Sequence, residues 1–199
     1  MPLLPAPGPD GHARCPWCLA TAQYLDYHDR EWGFPVADDR RLFEKLCLEA
    51  FQSGLSWRTI LEKREGFRAA FAGFDFHRMA GWGEPEVLRL LGDAAIVRHR
   101  GKIEAVIHNA ARAVELQREA GSLAAFVWRF EEPDAPPEVR ATSPASVALA
   151  KALKQRGWKF VGPTTAYAFM QSMGLVNDHA PGCVTRAAVE QARAAFVRP

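Results

Sequence analysis

Apolar residues recur every three or four positions along most of the chain, and that period predicts helices. In DDRRLFEKLCLEAFQSG, residues Leu42, Phe43, Leu46, Cys47 and Ala50 make one stripe at i, i+3, i+4 spacing, with Gly54 placed to end the helix. SWRTILEKREGFRAAFAGF repeats the pattern through Ile60, Leu61, Phe67 and Phe71. EPEVLRLLGD, GKIEAVIHNAARAVELQREAG and SLAAFVWRF read as further helices punctuated by glycine or proline. A loop, EEPDAPPEVRA, follows. Ser143 or Ser146 then caps PASVALAKALKQRG, and TTAYAFMQSMGL and TRAAVEQARAAFV complete the set. Strand-like alternation is nearly absent, so the predicted class is all-α with short connections.

The segment GWKFVGPTTAYAFMQSMG refines that picture. A lysine-rich helix stops at Gly157, a tight turn follows, and Pro163 sits well for the first turn of a new helix. Such an arrangement, over about residues 147–174, presents backbone amides that can hold a phosphate without reading sequence.

Length and composition add limits. At 199 residues, 48% hydrophobic and 24% charged, the chain buries a substantial core and lies outside disordered composition. It has no uninterrupted apolar run of about 18 residues, so no membrane span is expected. The proline-rich start, residues 1–13, reads as a flexible arm rather than a signal peptide, ahead of a single domain over 14–199. A cytoplasmic location is the expectation, and with it reduced cysteines.

Net charge is only +2, but its distribution is uneven. Between Glu138 and Asp178 there is no carboxylate, while Arg140, Lys151, Lys154, Arg156 and Lys159 lie in that stretch. IVRHRGKI, with Arg98, Arg100 and Lys102, is a second acid-free island. Clustered positives suit a polyanion, although a solvated face would read the same way.

Two metal-grade ligands, His179 and Cys183, stand four residues apart in GLVNDHAPGC. Two ligands do not hold a structural zinc. The other candidates lie near the opposite end, in ARCPWCLATAQYLDYHDREWG: Cys15, Cys18 and His28, with His12 just before. A site drawing on one or both of these cysteines would tie the two ends of the chain together across a loop of about 150 residues, whose closure entropy grows only slowly with length.

The strings YHDREWG, LCLEAFQSGLSW, IVRHRGKI, KALKQRGWKFVGPTTAYAFMQ and GLVNDHAPGC together resemble the 3-methyladenine DNA glycosylase I family, from about Arg14 to Cys183 and in the family's order. The resemblance implies a helix-hairpin-helix glycosylase with one structural zinc ion, acting on double-stranded DNA that carries alkylated bases. It places the zinc ligands on Cys15, His28, His179 and Cys183, leaving Cys18 as an additional thiol. It puts the base-reading glutamate at Glu49, the pocket tyrosine at Tyr27 and the stacking tryptophan at Trp57. Leu55 corresponds to a residue near the tip that enters the DNA stack; Gly162 and Thr164 belong to the turn already read as holding the DNA backbone, with Lys154, Arg156 and Lys159 flanking it.

The chemistry suits these residues. A purine methylated at N3 is cationic while still bonded to deoxyribose and leaves neutral, so extrusion, recognition and stabilisation of a sugar cation are the main tasks. Glu49 lies on a helix whose other face is apolar, and is therefore either solvent-exposed or turned into a cleft. Trp57 offers an electron-rich face to a cationic ring. Asp178, beside His179, reads first as a capper of a helix or of the ligand loop, with a catalytic role as the secondary reading. With no evident lysine nucleophile, a monofunctional, monomeric hydrolase is expected. The alternative is a zinc-stapled DNA-binding module without chemistry.

Overall fold

The computed structural model describes residues 4–133 and 139–199. Positions 1–3 of the expected arm, and 134–138 of the loop read over 131–141, lie outside the described residues. The apolar stripe of the first predicted helix is buried along its whole length, and the other elements assemble around it. That helix, α2 (Asp39–Gln52), packs against α3 (Trp57–Glu62), α7 (Arg100–Ala120), α8 (Leu123–Val127) and α10 (Pro163–Ser172). Asp38 starts α2, its carboxylate accepting the amide of Arg41 at 2.8 Å.

The region read as one periodic run from Ser56 to Phe74 divides at Lys63 into α3 and α4 (Arg64–Ala70). A 3-10 turn, Ala72–Phe74, then leads to α5 (Phe76–Met79). Phe51, Phe67, Phe71 and Phe74 nevertheless pack as one aromatic column, so the burial read from the spacing stands although the helix is broken. α6 (Glu84–Gly92) and α5 pack on α7. Ser143 opens α9 (Pro144–Gln155) by a reciprocal pair of hydrogen bonds with Ser146, joining the two serines proposed as alternative caps. α11 (Arg186–Ala195) closes the chain.

Two features were not legible in the apolar pattern. A helix α1 (Ala22–Arg30) precedes α2. Within the expected arm, β1 (Ala6–Pro7) pairs antiparallel with β2 (Ala13–Arg14), Ala6 opposite Arg14, which is the one sheet among the described residues. Arg14 holds this ribbon down by pairing with both Asp10 (2.6 Å) and Asp29 (3.0 Å).

The turn at the exit of α10 pins the next loop against residues 34–36. Gly174 there has φ +80°, and the two segments run so close that a Cβ on Gly174 would lie 2.6 Å from the Pro35 backbone. Val36 donates to the Met173 carbonyl across the same contact at 3.3 Å. Gly174→Ala is therefore expected to lose about 2–4 kcal/mol, combining left-handed backbone strain with a clash against main chain that cannot yield. A thermal melt within 1 °C of wild type would contradict it.

Candidate active site and metal centre

α1 and the loop after α10 each carry two neighbouring residues of interest, Tyr27–His28 and Asp178–His179. One member of each pair faces a buried cluster and the other lines a cleft.

The cluster consists of Cys15, His28, His179 and Cys183, all buried, with ligand atoms within 4.8 Å of one another. His28 Nε2 lies 3.1 Å from His179 Nδ1, and Cys183 Sγ lies 3.5 and 3.6 Å from these two nitrogens. Cys15 Sγ is 3.8 Å from His179 Nδ1. A tetrahedral zinc, with Zn–N about 2.0–2.1 Å and Zn–S about 2.3 Å, has edges of roughly 3.3 Å between nitrogens and 3.6 Å between nitrogen and sulfur.

The outer ring nitrogens settle the tautomers. His28 Nδ1 meets Asp29 Oδ1 at 2.7 Å and His179 Nε2 meets the Trp32 carbonyl at 3.0 Å. Both partners only accept, so both outer nitrogens carry a proton, and in neutral rings this turns the inner lone pairs toward each other, an arrangement that a cation between them satisfies. Gly33 permits the approach: a Cβ there would stand 3.0 Å from His179 Nε2. Asp29 is in turn held by Arg14 and by the Thr185 hydroxyl; against the effect of its burial, hydrogen bonds from Arg14 and His28 keep its carboxyl below the usual range. The residues thus fit a bound metal ion. Cys18 is buried but outside the cluster, and burial pushes its thiol up to about 12, so it stays protonated. His12 is exposed and also outside.

Beside the cluster lies a cleft of about 350 Å³, whose lining includes Trp17, Tyr24, Tyr27, Trp32, Glu49 and Trp57 together with Arg140, Ala168, Gln171 and Asp178. Trp17 and Trp32 separate cleft from cluster, with Trp32 edge-on to His179 at 4.6 Å. The three pocket residues named from the sequence therefore converge. Tyr27 and Trp57 have ring centroids 5.6 Å apart, and the Trp57 indole nitrogen is buried without an acceptor among the described residues. Glu49 is 6% exposed, lies on the cleft side of α2, and accepts a 2.9 Å ion pair from Lys45 on Oε1.

Asp178 does not cap a helix. Its Oδ2 accepts from the Tyr167 hydroxyl and from Gln171 Nε2 (2.9 Å), an arrangement that turns a second carboxylate toward the cleft. Tyr27 does not offer its hydroxyl oxygen freely either, because that oxygen accepts a 2.6 Å hydrogen bond from Lys45.

Known proteins share this sequence pattern and fold. A model of the methyladenine glycosylase family matches residues 17–187. The chain belongs to that family. DNA-3-methyladenine glycosylase 1 of Escherichia coli (strain K12) is 48% identical over 177 residues, covering 85% of this chain and 95% of the relative. A crystal structure of a 3-methyladenine DNA glycosylase I superposes with a TM-score of 0.83 at 49% identity, covering 86% of this chain and 98% of the other. A variant of another 3-methyladenine DNA glycosylase I, in complex with 3-methyladenine, gives a TM-score of 0.83 at 33% identity over 86% of this chain and 96% of that one.

In this methyladenine glycosylase the charge islands read from the sequence change in space. Arg156 is engaged by Glu119, and Arg140 by Glu132 and Tyr167. Arg100 pairs with Glu84 and Glu104. Lys102 is buried, donating to the carbonyls of Phe51 (2.8 Å) and Ser53 (2.5 Å) at the end of α2. An acid-free stretch of sequence is thus not an acid-free surface. Lys102 instead braces the turn that carries Leu55, which stands 42% exposed beside Ser56, the cap of α3.

Lys154 and Lys159 remain exposed with no carboxylate partner among the described residues. They flank the turn between α9 and α10, where Asn109 of α7 clamps Lys159 through its amide (2.8 Å) and carbonyl (2.9 Å). Gly162 starts α10 with no capping side chain, and Thr164 is exposed in the first turn. Farther along the same helix, Ala168 and Gln171 reach the cleft. Among the described residues no helix is long and apolar enough to cross a membrane.

Lys45 is the site residue that sequence reasoning missed. Lys45 and Glu49 are an i, i+4 pair, and such pairs ordinarily mark a solvent face. The available signal was position: both fall on the side of α2 that faces Tyr27 and Trp57 rather than water.

Proposed function

We propose that the chain is a DNA-3-methyladenine glycosylase that flips the lesion into the cleft beside Glu49, Tyr27 and Trp57 and hydrolyses its N-glycosidic bond. The single observation that carries this reading is a buried carboxylate beside an indole at the wall of a cleft sized for a purine. A cationic purine is favoured there over normal adenine, because Glu49 stabilises positive charge in a water-poor site and accepts from the exocyclic amino group. The C1′–N9 bond breaks with its electron pair going to the base, which leaves neutral. Water adds to C1′ and releases its proton. Asp178, turned to the same cleft, balances the sugar cation while it exists. No strand cleavage accompanies the step.

Cys15, His28, His179 and Cys183 would hold a structural zinc. Bound there, it supplies no reacting group and acts by fixing Tyr27 and Asp178 through their neighbours His28 and His179. The enzyme works as a cytoplasmic monomer with a single catalytic domain over residues 14–199.

Leu55 fills the gap left by the extruded nucleotide, and the helix-hairpin-helix of α9 and α10 holds the backbone. The first-turn amides at Gly162 and Thr164 and the free ammonium groups of Lys154 and Lys159 meet phosphates. The double substitution Lys154→Ala, Lys159→Ala should reduce the slope of log affinity against log salt by roughly one for each phosphate these lysines neutralise, with excision of bound DNA within about twofold. An unchanged slope would remove these lysines from the interface. The reading as a whole is tested by incubating the protein with methylated duplex DNA and measuring free base: 3-methyladenine should appear in solution with the strand intact. A DNA-binding module without chemistry would release none.

A further inference from the structure

Lys45 is a buried lysine for which neither the zinc centre nor the base chemistry has a use. Its ammonium lies 2.9 Å from Glu49 Oε1, 2.6 Å from the Tyr27 hydroxyl and 3.3 Å from the centroid of the Trp57 ring. It therefore touches all three residues of the proposed base pocket. It does so from behind: Lys45 opens on a small second cavity, which shares Tyr27 and Trp57 with the cleft but holds none of the cleft's other lining residues. Lys45 itself does not line the cleft, so its contact with the base pocket runs through these three side chains.

We propose that Lys45 is the positioning residue of the base pocket, an internal counter-cation that keeps the buried Glu49 ionised and fixes its Oε1, leaving Oε2 for the lesion. Glu49 lines the cleft, and its ion pair with Lys45 engages Oε1. A carboxyl buried without a counter-charge takes up a proton more readily, and a protonated Glu49 would lose its preference for a cationic base. Burial lowers the affinity of Lys45 for its own proton, and the Glu49 charge opposes that loss.

The other charges around the pair cannot replace it. On the rear side Glu31 is taken by Arg64 (2.7 Å) and Glu44 by Arg68 (2.8 Å), while Arg41 at the cavity rim is exposed. On the cleft side stand Asp178, itself negative, and Arg140, which is engaged by Tyr167 and Glu132. Lys45 is the one cation in contact with Glu49 among the described residues. The ammonium on the rear face of Trp57 also diminishes what that ring can offer a second cation, which shifts discrimination onto the carboxylate.

The test is the acid limb of kcat/KM for release of 3-methyladenine, measured between pH 5 and 8.5 with wild type, Lys45→Met and Lys45→Arg. In Lys45→Met the limb should move up by about 1–3 pH units, the range for loss of an adjacent opposite charge, with activity recovering toward wild type at high pH. Lys45→Arg, which keeps the charge, should return the limb to within about half a unit of wild type. A limb in the wild-type position in Lys45→Met overturns the proposal, as does an arginine variant that behaves like the methionine one. Should Lys45→Met fail to fold, Lys45→Gln is held to the same criteria. The inference rests on the glycosylase reading, but wild-type activity in the same series tests that reading separately.

Discussion

Glu49→Gln should lower the rate of 3-methyladenine excision by about 10²–10³-fold while affinity for duplex DNA stays within about threefold. The substitution keeps the shape of the side chain and removes its charge. It takes away the interaction that favours a cationic base in a site from which water is largely excluded, and removing one such preorganised electrostatic contact typically costs about 3–4 kcal/mol of transition-state stabilisation. Affinity should be spared because phosphate contacts dominate it, and the proposed interface places these on the turn between α9 and α10 rather than on α2. Lys45 would be left without its carboxylate but can shed its proton, as its burial already favours, so the variant should fold. Single-turnover excision and a binding titration on the same methylated duplex check both halves. Equal excision by wild type and variant would show that the carboxylate does not read the base.

The second large effect belongs to the metal centre. His179→Ala should abolish stoichiometric zinc, lower the melting temperature by on the order of 10 °C and reduce excision at the same time. Removing one ligand leaves His28, Cys15 and Cys183 buried around an incomplete site, and breaking a buried charged cluster costs about 3–5 kcal/mol. For a domain of this size each kcal/mol corresponds to roughly 2–4 °C. Activity falls because the imidazole of residue 179 anchors the loop that presents Asp178, and His28 anchors the helix that presents Tyr27. Metal analysis and calorimetry on the same preparation decide the matter. A variant that melts with wild type, or wild-type protein without zinc, would contradict it.

How much of this was legible in the sequence depends on whether the relevant contact is periodic, local or distant. The stripe of α2 and the phenylalanines of α3 to α5 were readable because burial imposes a period that survives even where the helix breaks at Lys63. α1 was not, because its residues are spread over three tasks: Tyr27 toward the cleft, His28 toward the metal cluster and Asp26 out to an exposed pair with Arg30. The segment has no single apolar face to detect.

Charge was the poorest guide. Arg100, Arg140 and Arg156 looked unpaired because their carboxylates come from sequence-distant elements or from acids outside the local run. Lys102 counted toward the second acid-free island and is a buried brace for the Leu55 turn. Motif resemblance named Glu49, Tyr27, Trp57 and the four metal ligands; in space the first three line one cleft and the other four form one buried cluster. Neither resemblance nor pattern pointed to Lys45, whose meaning depends on the depth of its helix face rather than on its neighbours in sequence.

The central claim is that these side chains form the seat of one extruded lesion. A crystal structure of the protein with 3-methyladenine bound tests it most directly. The expected result is the base in the cleft, against the Trp57 ring, with Glu49 Oε2 within hydrogen-bonding distance of a base nitrogen and Oε1 still on Lys45. A base seated elsewhere, or one in the cleft that makes no contact with Glu49, would contradict it.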